Sequence, residues 1–155
     1  MKKLTIVAGL ALLIYACAES TSKNSAPSDS PAKESTAAPA YDTAKGAGRF
    51  TKVDIPANLD VKMAEAGKKV YDLKCAACHK LNDEKLVGPG WKGVTARHTP
   101  EWIMNFSTNP DEMLQKDPKA QAMLEICLVK MPNQNLTDEE ARNIYEFMRK
   151  NDGIK

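Results

Sequence analysis

The stretch from Cys75 to His79 constrains this chain more than any other, because it reads Cys-Ala-Ala-Cys-His. Cysteines at i and i+3 lie on one side of a helical turn, so both sulfurs can reach one rigid group. The histidine that follows can then turn onto a metal at that group's centre. Covalent attachment of haem requires this arrangement: two thioethers to the vinyl groups and an imidazole on the iron. Three other chemistries use similar residues. A Cys75–Cys78 disulfide would leave His79 without a role. A structural zinc site needs four ligands, and the remaining candidates, His98 and Cys127, are widely spaced. A thioredoxin-type redox pair belongs between a strand and a helix in an α/β pattern, which the sequence lacks.

The N-terminus adds a compartment. Lys2 and Lys3 precede 13 largely apolar residues, Leu4 to Ala16, and small residues surround Cys17. The run suits a signal-peptide core and falls short of the roughly 20 residues that cross a bilayer, so residues 1–16 are expected to be a signal peptide. "IYAC", Ile14 to Cys17, resembles the lipobox of bacterial lipoproteins, in which the cysteine is acylated. "ACA", Ala16 to Ala18, offers a rival cleavage site that would release a soluble protein from Glu19 onward. Without Lys2 and Lys3 the 22 basic residues fall to 20, against 20 acidic ones. That balance excludes the basic stripe that nucleic-acid binding demands.

From Ala18 to about Thr51 the chain is rich in Ser, Ala, Pro and Thr and poor in large apolar residues. Such a segment buries too little surface to offset its chain entropy. Residues 17–57 are therefore expected to be a lipid-attachment cysteine followed by a disordered tether. At roughly 40 residues its reach would be on the order of 35 Å. From residue 58 to residue 155 helical patterns follow one another. Val61, Ala64, Val70, Tyr71 and Ala77 suit one stripe leading into the cysteines. Thr99-Pro100 and Asp117-Pro118 read as helix starts, the first ahead of Trp102, Ile103 and Phe106. Thr137 and Glu140 form a capping box before Ala141, Ile144, Tyr145, Phe147 and Met148. The expectation is an all-α domain of about four helices, with so thin a core that a large buried cofactor would complete it.

Residues 58–155 resemble a class I c-type cytochrome with one haem. "GKKVYDLKCAACH" carries Gly67 and Tyr71 where that family's first helix crosses the last, and Ile144 and Phe147 stand at the crossing positions. "VGPGWKGV" is similar to the loop whose proline carbonyl, here Pro89, accepts a hydrogen bond from the histidine Nδ1. The resemblance implies the cytochrome c fold, one covalent haem c on Cys75 and Cys78, and His79 on the iron with Nε2 free to ligate. Trp91 would pack beside the haem, with its indole N–H a candidate donor to a propionate.

A second axial ligand remains to be found among Met104, Met113, Met123 and Met131. Met131 precedes Pro132 in a loop before the last helix, and "MPNQNLTDEEA" is similar to the family's methionine loop. Met131 is thus the expected ligand and Met113 the alternative. Met104 and Met123 have the spacing of core residues. His98 is read as a surface residue, Cys127 as an inert buried thiol, and Lys68, Lys69, Lys74, Lys80 and Lys92 as a candidate docking rim.

Histidine and methionine together close both axial positions and raise the reduction potential. The expected activity is therefore single-electron transfer without enzymatic turnover. The carrier would be an exported, lipid-anchored monomer on the periplasmic side of a bacterial membrane, shuttling electrons between respiratory complexes. A haem-based sensor or peroxidase-like module with a labile methionine is an alternative. So is a dedicated electron-entry subunit of an oxidase or reductase.

Overall fold

The structure, a computed structural model, describes residues 41–155. The expected signal peptide, Cys17 and the tether up to residue 40 lie outside the described residues. Six helices and no strand occur among the described residues: α1 (Val61–Lys74), α2 (Val94–Arg97), α3 (Pro100–Thr108), α4 (Pro110–Lys116), α5 (Pro118–Cys127) and α6 (Asp138–Asn151). The all-α class is as expected. The helix count exceeds the expectation because α2 spans four residues and α4 seven, both too short for a periodic apolar pattern.

One starting device recurs in the middle of the chain. Thr99, Asn109 and Asp117 each precede a proline at the first helical position, and each accepts a hydrogen bond from a backbone N–H of the following turn. Oxygen-bearing caps satisfy orphan donors, and proline fixes φ where no donor is needed. The last helix carries the full capping box between Thr137 and Glu140.

The most extensive helix contact joins α1 to α6. It depends on Gly67, where an added Cβ would lie 2.0 Å from the Asn143 carbonyl oxygen and 2.9 Å from Phe147 Cβ. Ala64, Gly67 and Tyr71 form the buried stripe of α1. It is narrower than expected: Val61 and Ala77 are exposed. Val61 opens the helix at the solvent side of its Asp60 cap, and Ala77 lies beyond the helix end at Lys74, where the register is lost.

Residues 41–57 correct the expected tether and move the domain boundary. They form a belt laid across α3, α4 and α6. Asn105 Nδ2 donates to the Lys45 and Phe50 carbonyls at 3.0 and 2.9 Å, and the Phe50 N–H donates back to Asn105 Oδ1 at 2.9 Å. The Val53 N–H reaches Glu101 Oε1 at 2.8 Å. Buried Arg149 donates to the Pro56 and Ala57 carbonyls, each at 2.8 Å, while Glu146 holds the Asp60 N–H and Arg149 itself. Phe50, Val53 and Ile55 pack against the core. Distant side chains satisfy this backbone, so local composition carried little sign of order.

Candidate haem site

The attachment motif begins where α1 ends. Cys75 caps α1, and the chain makes one further turn in which the Cys78 and His79 N–H groups donate to the Cys75 carbonyl at 3.0 and 2.9 Å. The Tyr71 hydroxyl donates to the His79 carbonyl at 2.7 Å. The loop then folds back on itself. The Val87 and Gly88 N–H groups donate to the Cys78 carbonyl, and the Trp91 N–H to that of Lys80.

This return brings the Pro89 carbonyl 2.9 Å from His79 Nδ1. The acceptor fixes a proton on Nδ1, leaving Nε2 with a free lone pair. A Cβ at Gly88 would stand 2.4 Å from His79 Cε1, so only glycine lets the loop close on the ring. Burial draws the His79 pKa down and the Pro89 hydrogen bond partly opposes it. Burial also pushes the Cys75 thiol up to about 11.

The motif faces a cavity of about 960 Å³, counting its open mouth. Cys75, Cys78, His79, Pro89, Trp91 and Met131 all line it, so the expected site residues within the described chain share one wall system. Ile144 and Met148 of α6 and Phe106 of α3 add apolar surface. A second cavity shares His79, Met123 and Met131 with the first and is walled by Ala120, Met123, Leu124 and Cys127 of α5. Their spacing places one apolar helix face on the cavity.

The methionines separate clearly. Met131 and Met123 line both cavities. Met113 lines neither: it is fully buried and its sulfur accepts the Ala47 N–H at 3.0 Å. Met104 is buried outside both cavities. Met123 packs against the core as expected and also lines both cavities, because α5 presents its apolar stripe there. Cys127 likewise lines the second cavity and is half-exposed.

His98 also departs from its expected place on the surface. Its ring stacks on Trp102 at 3.9 Å and 14°, and both residues line the first cavity. His98 Nδ1 and Trp102 Nε1 are buried without a hydrogen-bond partner within the protein. Burial first, then the Arg97 and Lys119 charges, draw the His98 pKa down to about 4 against the opposing pull of Asp117. Trp91 packs on Tyr71 at 4.9 Å and lies 5.6 Å from the His79 ring. The buried orphaned indole N–H is that of Trp102. The Thr99-Pro100 cap fixed where Trp102 falls, but nothing local marked its N–H as orphaned.

These residues fit haem. An apolar cavity can hold a flat macrocycle, two thiols and an oriented imidazole stand at one wall, and two orphaned nitrogens await polar groups.

Residues 64–152 match the family described as cytochrome c. A cytochrome c from Rhodothermus marinus is similar at 32% identity, with 68% of this chain and 90% of that one covered and a TM-score of 0.66. An engineered form matches at 31% identity over the same shares, with a TM-score of 0.65. A further engineered form, bound to a carbene intermediate, matches at 31% identity over the same shares, with a TM-score of 0.62. Curated protein sequences yielded no match. No helix among the described residues is long and apolar enough to cross a membrane. By family match, by fold and by the chemistry gathered around Cys75 to His79, the chain belongs to the cytochrome c family, whose haem-based electron carriers bind one covalently attached haem c.

Proposed function

We propose that this protein is an exported, lipid-anchored bacterial carrier that passes single electrons between respiratory membrane or periplasmic redox complexes. Cys75 and Cys78 hold the haem, His79 and Met131 ligate its iron, and Pro89 orients His79. Trp91 packs behind the histidine. The observation that carries the reading is the 2.9 Å contact of His79 Nδ1 with the Pro89 carbonyl, in a cavity that Met131 also lines. When bound, haem supplies one iron that gains or loses a single electron.

The protein's own residues would keep water and substrates from that iron: Met131 would supply a thioether ligand, and Phe106, Ile144 and Met148 supply apolar wall. Residues 1–16 serve as signal peptide, Cys17 as the acylated N-terminus and residues 18–40 as the tether. The domain acts as a monomer, held near its partners by the tether rather than by a tight interface.

Partner docking is expected to be apolar. Beside the second cavity stand exposed Ile126, Leu128 and Val129, 67%, 82% and 54% accessible, with Leu86 and Val87 near them. Leu128 adopts φ 61° at the end of α5, a costly conformation for a leucine that buries nothing. Four of the five lysines of the expected docking rim, Lys68, Lys74, Lys80 and Lys92, are paired with Asp72, Glu140, Glu84 and Asp83. Electron exchange with a protein partner should therefore slow by less than about threefold between 10 and 500 mM salt, measured by stopped flow. A fall of tenfold or more would return docking to the lysine rim.

A second reading, a module that binds small ligands at the iron, draws on the engineered relative that holds a carbene. Carbon monoxide separates the two. The carrier reading expects an unchanged spectrum when the reduced protein meets carbon monoxide at pH 7, together with a reversible one-electron titration. Rapid binding would favour the sensor or peroxidase-like reading. Isolation in a fixed-ratio complex would favour the dedicated-subunit reading.

A further inference from the structure

Helix α5 forms one wall of the second cavity, yet among the described residues its only substantial helix neighbour is α4. Its polar anchorage lies at its N-cap. Asp117, with no exposed surface, accepts the Ala120 N–H at 2.9 Å as the cap of α5 and the Tyr41 hydroxyl at 2.7 Å. No cation pairs with this carboxylate among the described residues. Tyr41 begins the described belt, and the belt also seats α4. The Ala47 N–H donates to Met113 Sδ, and an added Cβ at Gly46 would stand 2.7 Å from Met113 Cε. From α5 the chain runs through Leu128 and Lys130 directly into Met131.

The far end of α5 is held more weakly. Lys85 Nζ donates to the Ile126 carbonyl at 2.9 Å, and Lys130 pairs with Asp111, both exposed. Exposed ion pairs contribute little, whereas a buried carboxylate that loses a donor destabilises the state that buries it. The Tyr41–Asp117 contact is thus the strongest polar fastening of the distal wall among the described residues.

We propose that Tyr41 is a positioning residue for the sixth ligand: through Asp117 the belt holds α5 and, beyond it, the Met131 loop against the cavity. The inference rests on the reading of Met131 as ligand. Without the hydroxyl the wall opens more often, Met131 leaves the iron for a larger share of the time, and an external ligand competes more successfully. Apparent affinity scales with the fraction of protein in the competent state.

The test uses the full-length holoprotein and imidazole as probe, titrated into the ferric form. Tyr41→Phe keeps the ring and its packing, and should raise the apparent imidazole affinity about tenfold while leaving haem attachment and helix content unchanged. Asp117→Asn keeps the Ala120 cap through Oδ1 and puts an amide Nδ2 where Oδ2 accepted from Tyr41, so the link survives with the hydroxyl as acceptor, and the variant should stay within threefold of wild type. Arg49→Ala cuts the belt's exposed contact with Asp138 on α6 and should stay within twofold. An unchanged affinity in Tyr41→Phe, or an equal rise in Arg49→Ala, would overturn the proposal, since the second outcome means general loosening. Met131→Ala is the separate control: if it binds imidazole no more tightly than wild type, the ligand reading itself fails.

Discussion

Gly67→Ala should leave little holoprotein that survives moderate warming. The added methyl would meet the Asn143 carbonyl oxygen at 2.0 Å and its carbon at 2.5 Å. These are backbone atoms, which cannot swing aside as a flexible side chain would. Relief requires α1 and α6 to separate, and theirs is the largest helix contact of the fold. Separation would loosen Ile144, Phe147 and Met148, all buried. Overpacking at rigid positions costs on the order of 1–3 kcal/mol, and more where the backbone must move. We therefore expect a loss of about 4 kcal/mol, seen as a midpoint lowered by roughly 15 °C or more in thermal unfolding followed by circular dichroism. As a control, alanine at Gly153, whose Cβ would meet nothing within 4 Å, should cost only the strain of its φ of 90°.

Much of this site could be read before the fold was known, and the reasons are local. Cys75, Cys78 and His79 are adjacent in sequence, so their spacing carries their geometry. Pro89 follows from the resemblance of its loop, "VGPGWKGV", to that of the family. The caps at Thr99, Asp117 and Thr137 are short-range signals, and each appears where expected.

The errors share the opposite cause. The belt's composition suits a tether because its hydrogen bonds come from Asn105, Glu101 and Arg149, between 48 and 93 positions away. His98 was assigned to the surface because nothing near it in sequence shows that Trp102 would stack on it. Met123 has core spacing and does pack against the core; that it also borders a cavity only tertiary packing reveals. Met113, the alternative ligand, has its sulfur engaged by the belt, a contact 66 positions away in sequence.

Replacing Met131 should change the chemistry more than the stability. Met131 lines both cavities beside His79, and its side chain is not part of the buried core. Its loss would open a coordination position without creating a core cavity. A thioether favours the ferrous state, so the variant's potential should fall by on the order of 100 mV or more. The reduced variant should also take up carbon monoxide that the wild type refuses. Helix content should hold, since α1, α3 and α6 do not pass through this loop.

The most direct measurement is the far-red absorption of the ferric holoprotein, recorded for the wild type and for Met131→Ala beside their reduced spectra. The account predicts a sharp ferrous c-type spectrum for the wild type and a weak far-red methionine–iron band that the variant lacks. A wild type without that band, or a variant that keeps it, would contradict the assignment of Met131 and the closed, electron-carrying site built upon it.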